Sequence, residues 1–134
     1  IDKKYLEEID EALDFYFKTK MQERTICCKN TAGMQIKIIL SELLLIETSG
    51  RKLRYLMLDG SEHFCEGRIS ETAKSLSPFG FFYVQRSYIV NLKYIESVNS
   101  REITLCNGLE IAIGRTHSRE FKKEFFKWRM LFHD

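Results

Sequence analysis

The chain reads as a mainly β protein with short helices, preceded by an amphipathic helix. Three observations lead there. From Thr25 onward, short runs rich in branched and aromatic residues alternate apolar with polar positions, the period of a half-buried strand. Asp59-Gly60 and Asn107-Gly108 each sit between two such runs, where these dipeptides favour hairpin turns. Aromatic residues at 13% with a single proline are the composition of a packed core, since disordered chains are poor in the former and rich in the latter.

Taken in order, Ile1 to Met21 places Leu6, Ile9, Leu13 and Tyr16 or Phe17 at three- and four-residue spacing, with charges on the remaining face. That predicts an amphipathic helix over residues 1–22, distinct from a domain over 23–134. Its apolar stripe must pack on that domain, on a copy of itself or on a segment upstream, and a first residue that is Ile and not Met leads us to expect such a segment. Strands are expected at Thr25–Lys29, Gln35–Ile38, Leu44–Thr48, Lys52–Leu58, Glu62–Cys65, Phe81–Gln85, Tyr94–Ser97, Glu102–Leu105 and Glu110–Ile113. The two Gly dipeptides predict two-residue hairpin turns. Glu71–Leu76 should form a short helix capped by Ser70 and stopped before Pro78, and Thr116–Phe132 a longer one with Phe121, Phe125, Trp128 and Phe132 on one stripe. We find no internal repeat or low-complexity segment.

The 134 residues suit one domain with a modest core. A net charge of +2 says little by itself, but its distribution says more. Residues 1–20 hold four Lys against six Asp/Glu, a net of −2, and residues 21–134 hold 17 Lys/Arg against 13 Asp/Glu, a net of +4. The four cysteines, Cys27, Cys28, Cys65 and Cys106, lack paired CxxC spacing and a secretory signal, so they read as buried or half-buried free thiols and not as a disulfide scaffold. Adjacent Cys27 and Cys28 should point to opposite faces of a strand. The longest apolar run, Ile36 to Ile46, is broken by Lys37, Ser41 and Glu42 and falls short of the about 20 residues that cross a bilayer. A soluble, cytoplasmic protein with no membrane partner is expected. His63, His117 and His133 have no neighbouring nucleophile or carboxylate pattern, no metal-ligand spacing is present, and no glycine-rich phosphate loop occurs. The expectation is no enzyme, no metal and no cofactor.

The stretch Phe79 to Leu92 interrupts β-forming aromatic and branched residues with one polar triplet, Gln85-Arg86-Ser87. Apolar flanks can fix the backbone there, so Arg86 stands at the tip of a rigid support. A second apolar run, Leu109 to Ile113, ends in Gly114-Arg115-Thr116-His117, again a basic tip. The flat guanidinium fork of arginine can bond both acceptors of a guanine edge or clamp a phosphate. Three positive charges, Arg51, Lys52 and Arg54, cluster after Ser49-Gly50. Asn91, between Val90 and Leu92, reads as a structural residue that satisfies backbone groups at a turn. Phe81, Phe82, Tyr83 and Tyr88 read mainly as core residues and not as stacking platforms for single strands.

Gly80 to Leu92, Tyr94-Ile95-Glu96-Ser97, Asn107-Gly108 and Ile113-Gly114-Arg115 together resemble the LytTR DNA-binding domain of bacterial response regulators. Leu44 to Lys52 resembles the family's first strand-and-loop signature, so the likeness covers roughly residues 23 to 128. It implies an elongated stack of small β-sheets that binds double-stranded DNA through loops entering successive major grooves. It further implies an upstream receiver domain, a sensor kinase, and self-association on repeated half-sites; Ile1 to Leu6 resembles the start of a receiver's last helix. By family position Arg86 and Arg115 face bases, as does Lys52, although Arg51 fits that role equally. Arg51, Arg54, Ser87, Lys93, Thr116 and Arg119 are the expected phosphate contacts, which position without reading sequence. The alternative is a protein-interaction module of the same fold that does not read DNA.

Overall fold

A computed structural model describes residues 24–132, with side chains described as far as Met130. The helix expected over residues 1–22 lies outside the described residues. Within them, β1 (Thr25–Lys29) and β2 (Gln35–Ile39) form one hairpin sheet. A five-stranded sheet in the order β5-β4-β3-β7-β6 combines β3 (Leu43–Ser49), β4 (Lys52–Met57), β5 (Glu62–Cys65), β6 (Phe81–Gln85) and β7 (Tyr88–Asn91). The third sheet, β10-β9-β8, combines β8 (Ile95–Val98), β9 (Glu102–Leu105) and β10 (Glu110–Ala112). Helices α1 (Ile69–Leu76) and α2 (Ser118–Phe132) complete the chain, and all strand pairs are antiparallel.

The five-stranded sheet is the middle layer. Its central strand β3 carries Leu43, Leu44, Leu45 and Ile46 in succession, none more than 2% exposed, so both its faces are covered. Leu43 and Ile46 join a core with Ile38 of β2, Leu76 of α1 and Ile89 of β7. Leu44 and Leu45 join a second core with Ile103 and Leu105 of β9, Ile111 of β10 and Phe121 of α2. Of the stripe expected on α2, Phe121, Phe125 and Trp128 close this second core, while the Phe132 side chain lies outside those described: Phe121 is fully buried and stacks on Phe125, and Trp128 lies so near Gly80 that a Cβ there would sit 2.5 Å from its indole.

Three local expectations are corrected. Tyr88–Asn91 is a strand that the sequence reading absorbed into the motif around Arg86; its Tyr-Ile-Val run is β-forming, β3 and β6 pair with its two edges, and the two cores bury Ile89 and Val90 on opposite faces. Both hairpin turns contain three residues, not two. In each, the residue before the loop accepts from the glycine (Gly60 N to Met57 O, 3.0 Å; Gly108 N to Leu105 O, 2.8 Å) and donates to the residue after it. Gly60 and Gly108, both at φ +88°, supply the left-handed step that ends such a loop, while Asp59 and Asn107 accept from Ser61 and Leu109 N–H groups through their side chains. Ser70 does not cap α1: the capping position is Arg68, Ser70 lies in the first turn, and the helix ends at Leu76 before the Pro78 turn.

Asn91 has the structural role expected of it. Buried at 4% exposure, its amide donates to the carbonyls of Leu43 (2.9 Å) and Leu40 (3.4 Å), and its oxygen accepts from Lys93 N–H (3.1 Å). Cys27 and Cys106 are exposed, more open than expected, whereas Cys65 is buried with its Sγ 3.0 Å from that of Cys28. Burial, and next the hydrogen bond to Cys65, push the Cys28 thiol up to about 12. Burial likewise raises the Tyr55 phenol.

Replacing Asn91 by Ala removes the side-chain donor to the Leu43 carbonyl, while the Leu40 carbonyl keeps the Leu43 N–H, and should lower unfolding free energy by about 1–3 kcal/mol in a urea titration. Because the thiolate is the nucleophile, iodoacetamide at pH 8 should modify Cys27 and Cys106 and spare Cys28 and Cys65 until the protein unfolds, as read by peptide mass spectrometry. An unfolded Cys28 loses its proton near 9 and the folded one only at about 12, so this contribution to stability is complete below the lower value and falls away as pH climbs between them.

Candidate nucleic-acid interface

Three polar turns come together at one end of the middle sheet. The β3–β4 turn is Gly50-Arg51, closed by the Ser49–Lys52 pair, with Arg51 and Lys52 both exposed. Beside it, the turn between β6 and β7 carries exposed Arg86 and half-buried Ser87; β7 pairs with β3 from Tyr88 opposite Glu47, and the Ser87 carbonyl accepts the Thr48 N–H at 3.0 Å. The third turn, from Ile113 to His117, leads into α2 and carries exposed Arg115 and Thr116, with exposed Arg119 in the first turn of the helix.

The third turn belongs to another sheet, and a bulge brings it in. The β6–β7 register passes from Tyr83–Ile89 to Gln85–Tyr88 and skips Val84. The Val84 carbonyl accepts Gly114 N–H at 2.8 Å, and the Gln85 side-chain amide donates to the Ala112 carbonyl at 2.9 Å. Gly114 keeps this junction close: an added Cβ would crowd the His117 ring at 3.2 Å and touch the Val84 oxygen at 3.4 Å. The Tyr83 hydroxyl donates to the Arg86 carbonyl at 2.9 Å and its ring meets that of His117 edge-on, with centroids 5.4 Å apart.

Below the tips a polar row crosses the sheet. Tyr88, Glu47 and Arg54 are neighbours in register on β7, β3 and β4, and Arg54 bonds Glu47 at 2.6 Å and Glu62 at 3.2 Å. The hydrogen bond to Glu47 holds the Tyr88 phenol above its ordinary value, with burial adding to the shift. The structure thus gathers Arg51, Lys52, Arg86, Ser87, Arg115, Thr116 and Arg119 at one end. It does not bring Lys93 there: this residue follows β7 at its far end, with its ammonium 5.6 Å from the Tyr94 ring centroid, while the Tyr94 hydroxyl donates to the Ser41 carbonyl. Arg54 is half-buried and already paired with two carboxylates.

Sequence reasoning missed Gln85, Tyr83, Glu47 and Tyr88 as supports of this edge. Only the polar break at Gln85 offered a signal. Phe81, Phe82, Tyr83 and Tyr88 all pack against the two cores, as expected. Among the described residues no group of three or more His, Cys, Asp or Glu is placed to hold a metal ion, and no helix is long and apolar enough to cross a membrane.

Comparison with known proteins agrees with this architecture. Among curated proteins none matches. Among solved structures, the chain is similar to one described as the LytTr DNA-binding domain of a methyl-accepting/DNA response regulator from Bacillus cereus, with a TM-score of 0.63 at 20% identity over 76% of this chain and 96% of the other. At that identity the likeness is one of fold, and it covers the stacked small antiparallel sheets described above. The family model of the LytTr DNA-binding domain matches residues 33–126, from the β1–β2 turn to the exposed side of α2 and including all three basic turns. The chain therefore belongs to the LytTr DNA-binding domain family.

Proposed function

We propose that this chain is the output domain of a two-component transcriptional regulator and binds double-stranded DNA sequence-specifically, with its loops entering successive major grooves. The observation that carries the reading is the convergence of three basic turns, from two sheets, on one edge. A duplex bears one negative charge per roughly 1.7 Å of axis, so a few clustered cations suffice to hold it. In this reading Arg86 and Arg115 meet base edges with their planar forks, and Lys52 or Arg51 reads a third position. Arg51, Ser87, Thr116 and Arg119 hold phosphates beside them. Lys93, separated from this edge by the four residues of β7, roughly 13 Å of strand, would hold phosphate elsewhere on the duplex. We leave Arg54 out of the DNA-contacting set, because Glu47 and Glu62 already neutralise it.

The name of the Bacillus cereus relative, a DNA response regulator, supports the two-component setting, as do the motifs around Arg86 and Arg115. That setting adds an upstream receiver domain answering to a sensor kinase, self-association on repeated half-sites, and a cytoplasmic location. The family is one of DNA-binding domains, which favours binding over catalysis.

Selection from a random duplex library by the folded protein should enrich a motif; enrichment of none would leave the protein-interaction alternative standing. On the selected site, Arg86→Ala and Arg115→Ala should each weaken binding by about 1–3 kcal/mol and relax preference at one position, with little loss on random duplex. Arg115→Lys keeps the charge and loses the fork, so retention of every preference would make Arg115 a phosphate clamp. Arg119→Ala should weaken all sequences alike and reduce the salt slope of log affinity by about one.

A further inference from the structure

Arg86 and Arg115 sit on turns of different sheets, yet those turns are joined by bonds that neither sheet needs for its own ladder. The Gly114 N–H on the skipped Val84 carbonyl is one attachment, beside the edge contact of Tyr83 with His117 and the core that Val84 shares with Ile113. The Gln85 side-chain amide on the Ala112 carbonyl is a further one. It is the side-chain hydrogen bond that restrains how the strand leading into one turn lies against the strand leading into the other. Gln85 immediately precedes Arg86, and Ala112 lies three residues before Arg115, so the bond ties the backbones that carry the two guanidinium groups. Gln85 itself is only half-buried and belongs to neither core.

From this geometry we infer that Gln85 is a positioning residue: its bond to β10 makes Arg86 and Arg115 one recognition unit with a fixed separation. The inference rests on the base-reading roles proposed above for both arginines. Its physical content is preorganisation. With the latch closed, the relative order of the two turns is imposed by folding, so an arginine seated on one base delivers the other to its own. With the latch open, each turn must be ordered separately on the duplex, and a fork that is displaced bonds one acceptor of a base edge in place of two.

Gln85→Met retains the length of the side chain and removes its donor. On the selected site it should lose about tenfold in affinity, and positional preference should relax at both bases assigned to Arg86 and Arg115. Affinity for random duplex should stay within about twofold, with an unchanged thermal midpoint. In a double-mutant cycle Arg86→Ala and Arg115→Ala should combine non-additively with Gln85 present and additively in the Gln85→Met background. In the free protein the Gly114 amide should exchange hydrogen faster in Gln85→Met while that of Ile103 keeps its rate, a measurement that a loss of global stability would not reproduce. Full retention of both preferences, or an unaltered Gly114 exchange rate, overturns the latch. A parallel loss on random duplex also overturns it, since Gln85 would then touch DNA directly. If the single arginine variants themselves keep every preference, the base-reading proposal fails and takes the inference with it; if they relax preference and Gln85→Met does not, the inference alone fails.

Discussion

The structure depends on one strand being dry on both sides. β3 runs Leu-Leu-Leu-Ile through its buried half, and an apolar strand of that kind is stable only where two further layers cover it. The β1–β2 hairpin and α1 cover one face, and the third sheet with α2 covers the other. The apolar residues are thereby divided between two cores that share this sheet as a wall. The strand then turns polar as it leaves the stack, through Glu47, Thr48 and Ser49, and this change marks the edge where the basic turns gather.

The same constraint explains why that edge is rigid without being apolar. Buried pairs hold β3 to β4 and β7 along most of their length, and where burial ends, hydrogen bonds and ion pairs continue the job through Tyr88, Glu47, Arg54 and Glu62. An isolated surface ion pair contributes little. Here Arg54 is only 22% exposed and shared by carboxylates from two neighbouring strands, so it ties three strands together. A positive residue near a basic edge is thus not automatically free for an outside partner.

How much of this was legible in the sequence follows from how local each cause is. Alternation revealed the strand positions from Thr25 to Ala112 because side-chain period is a property of neighbouring residues. It failed at Tyr88–Asn91, a four-residue strand that directly follows the polar triplet and offers too few positions to show a period of its own. The Asp-Gly and Asn-Gly signals located both hairpins, but the number of residues in a loop depends on which backbone groups close it, and a dipeptide does not carry that. The basic tips were legible as residue types. Their convergence was not, since it rests on bonds such as Gln85 to Ala112 that span 27 positions, and on a backbone contact between Gly114 and Val84 that only the folded chain brings together.

Reading DNA from turns poses a problem that a recognition helix does not have. A helix presents its side chains on a frame of internal hydrogen bonds, whereas a turn has few, and each side chain or loop ordered on binding detracts from affinity. In this fold every basic turn is held against another one. The Gly50-Arg51 turn is held through Thr48 and Ser87, the Arg86 turn through Tyr83, and the Arg115 turn through Val84 and Gln85. Each bond spends a backbone carbonyl that would otherwise face water or compete for the cations alongside it. What remains exposed there includes the guanidinium groups of Arg51, Arg86, Arg115 and Arg119 and the ammonium of Lys52. That clustering, more than a net charge of only +2 over the whole chain, gives one edge of a nearly neutral protein its positive character.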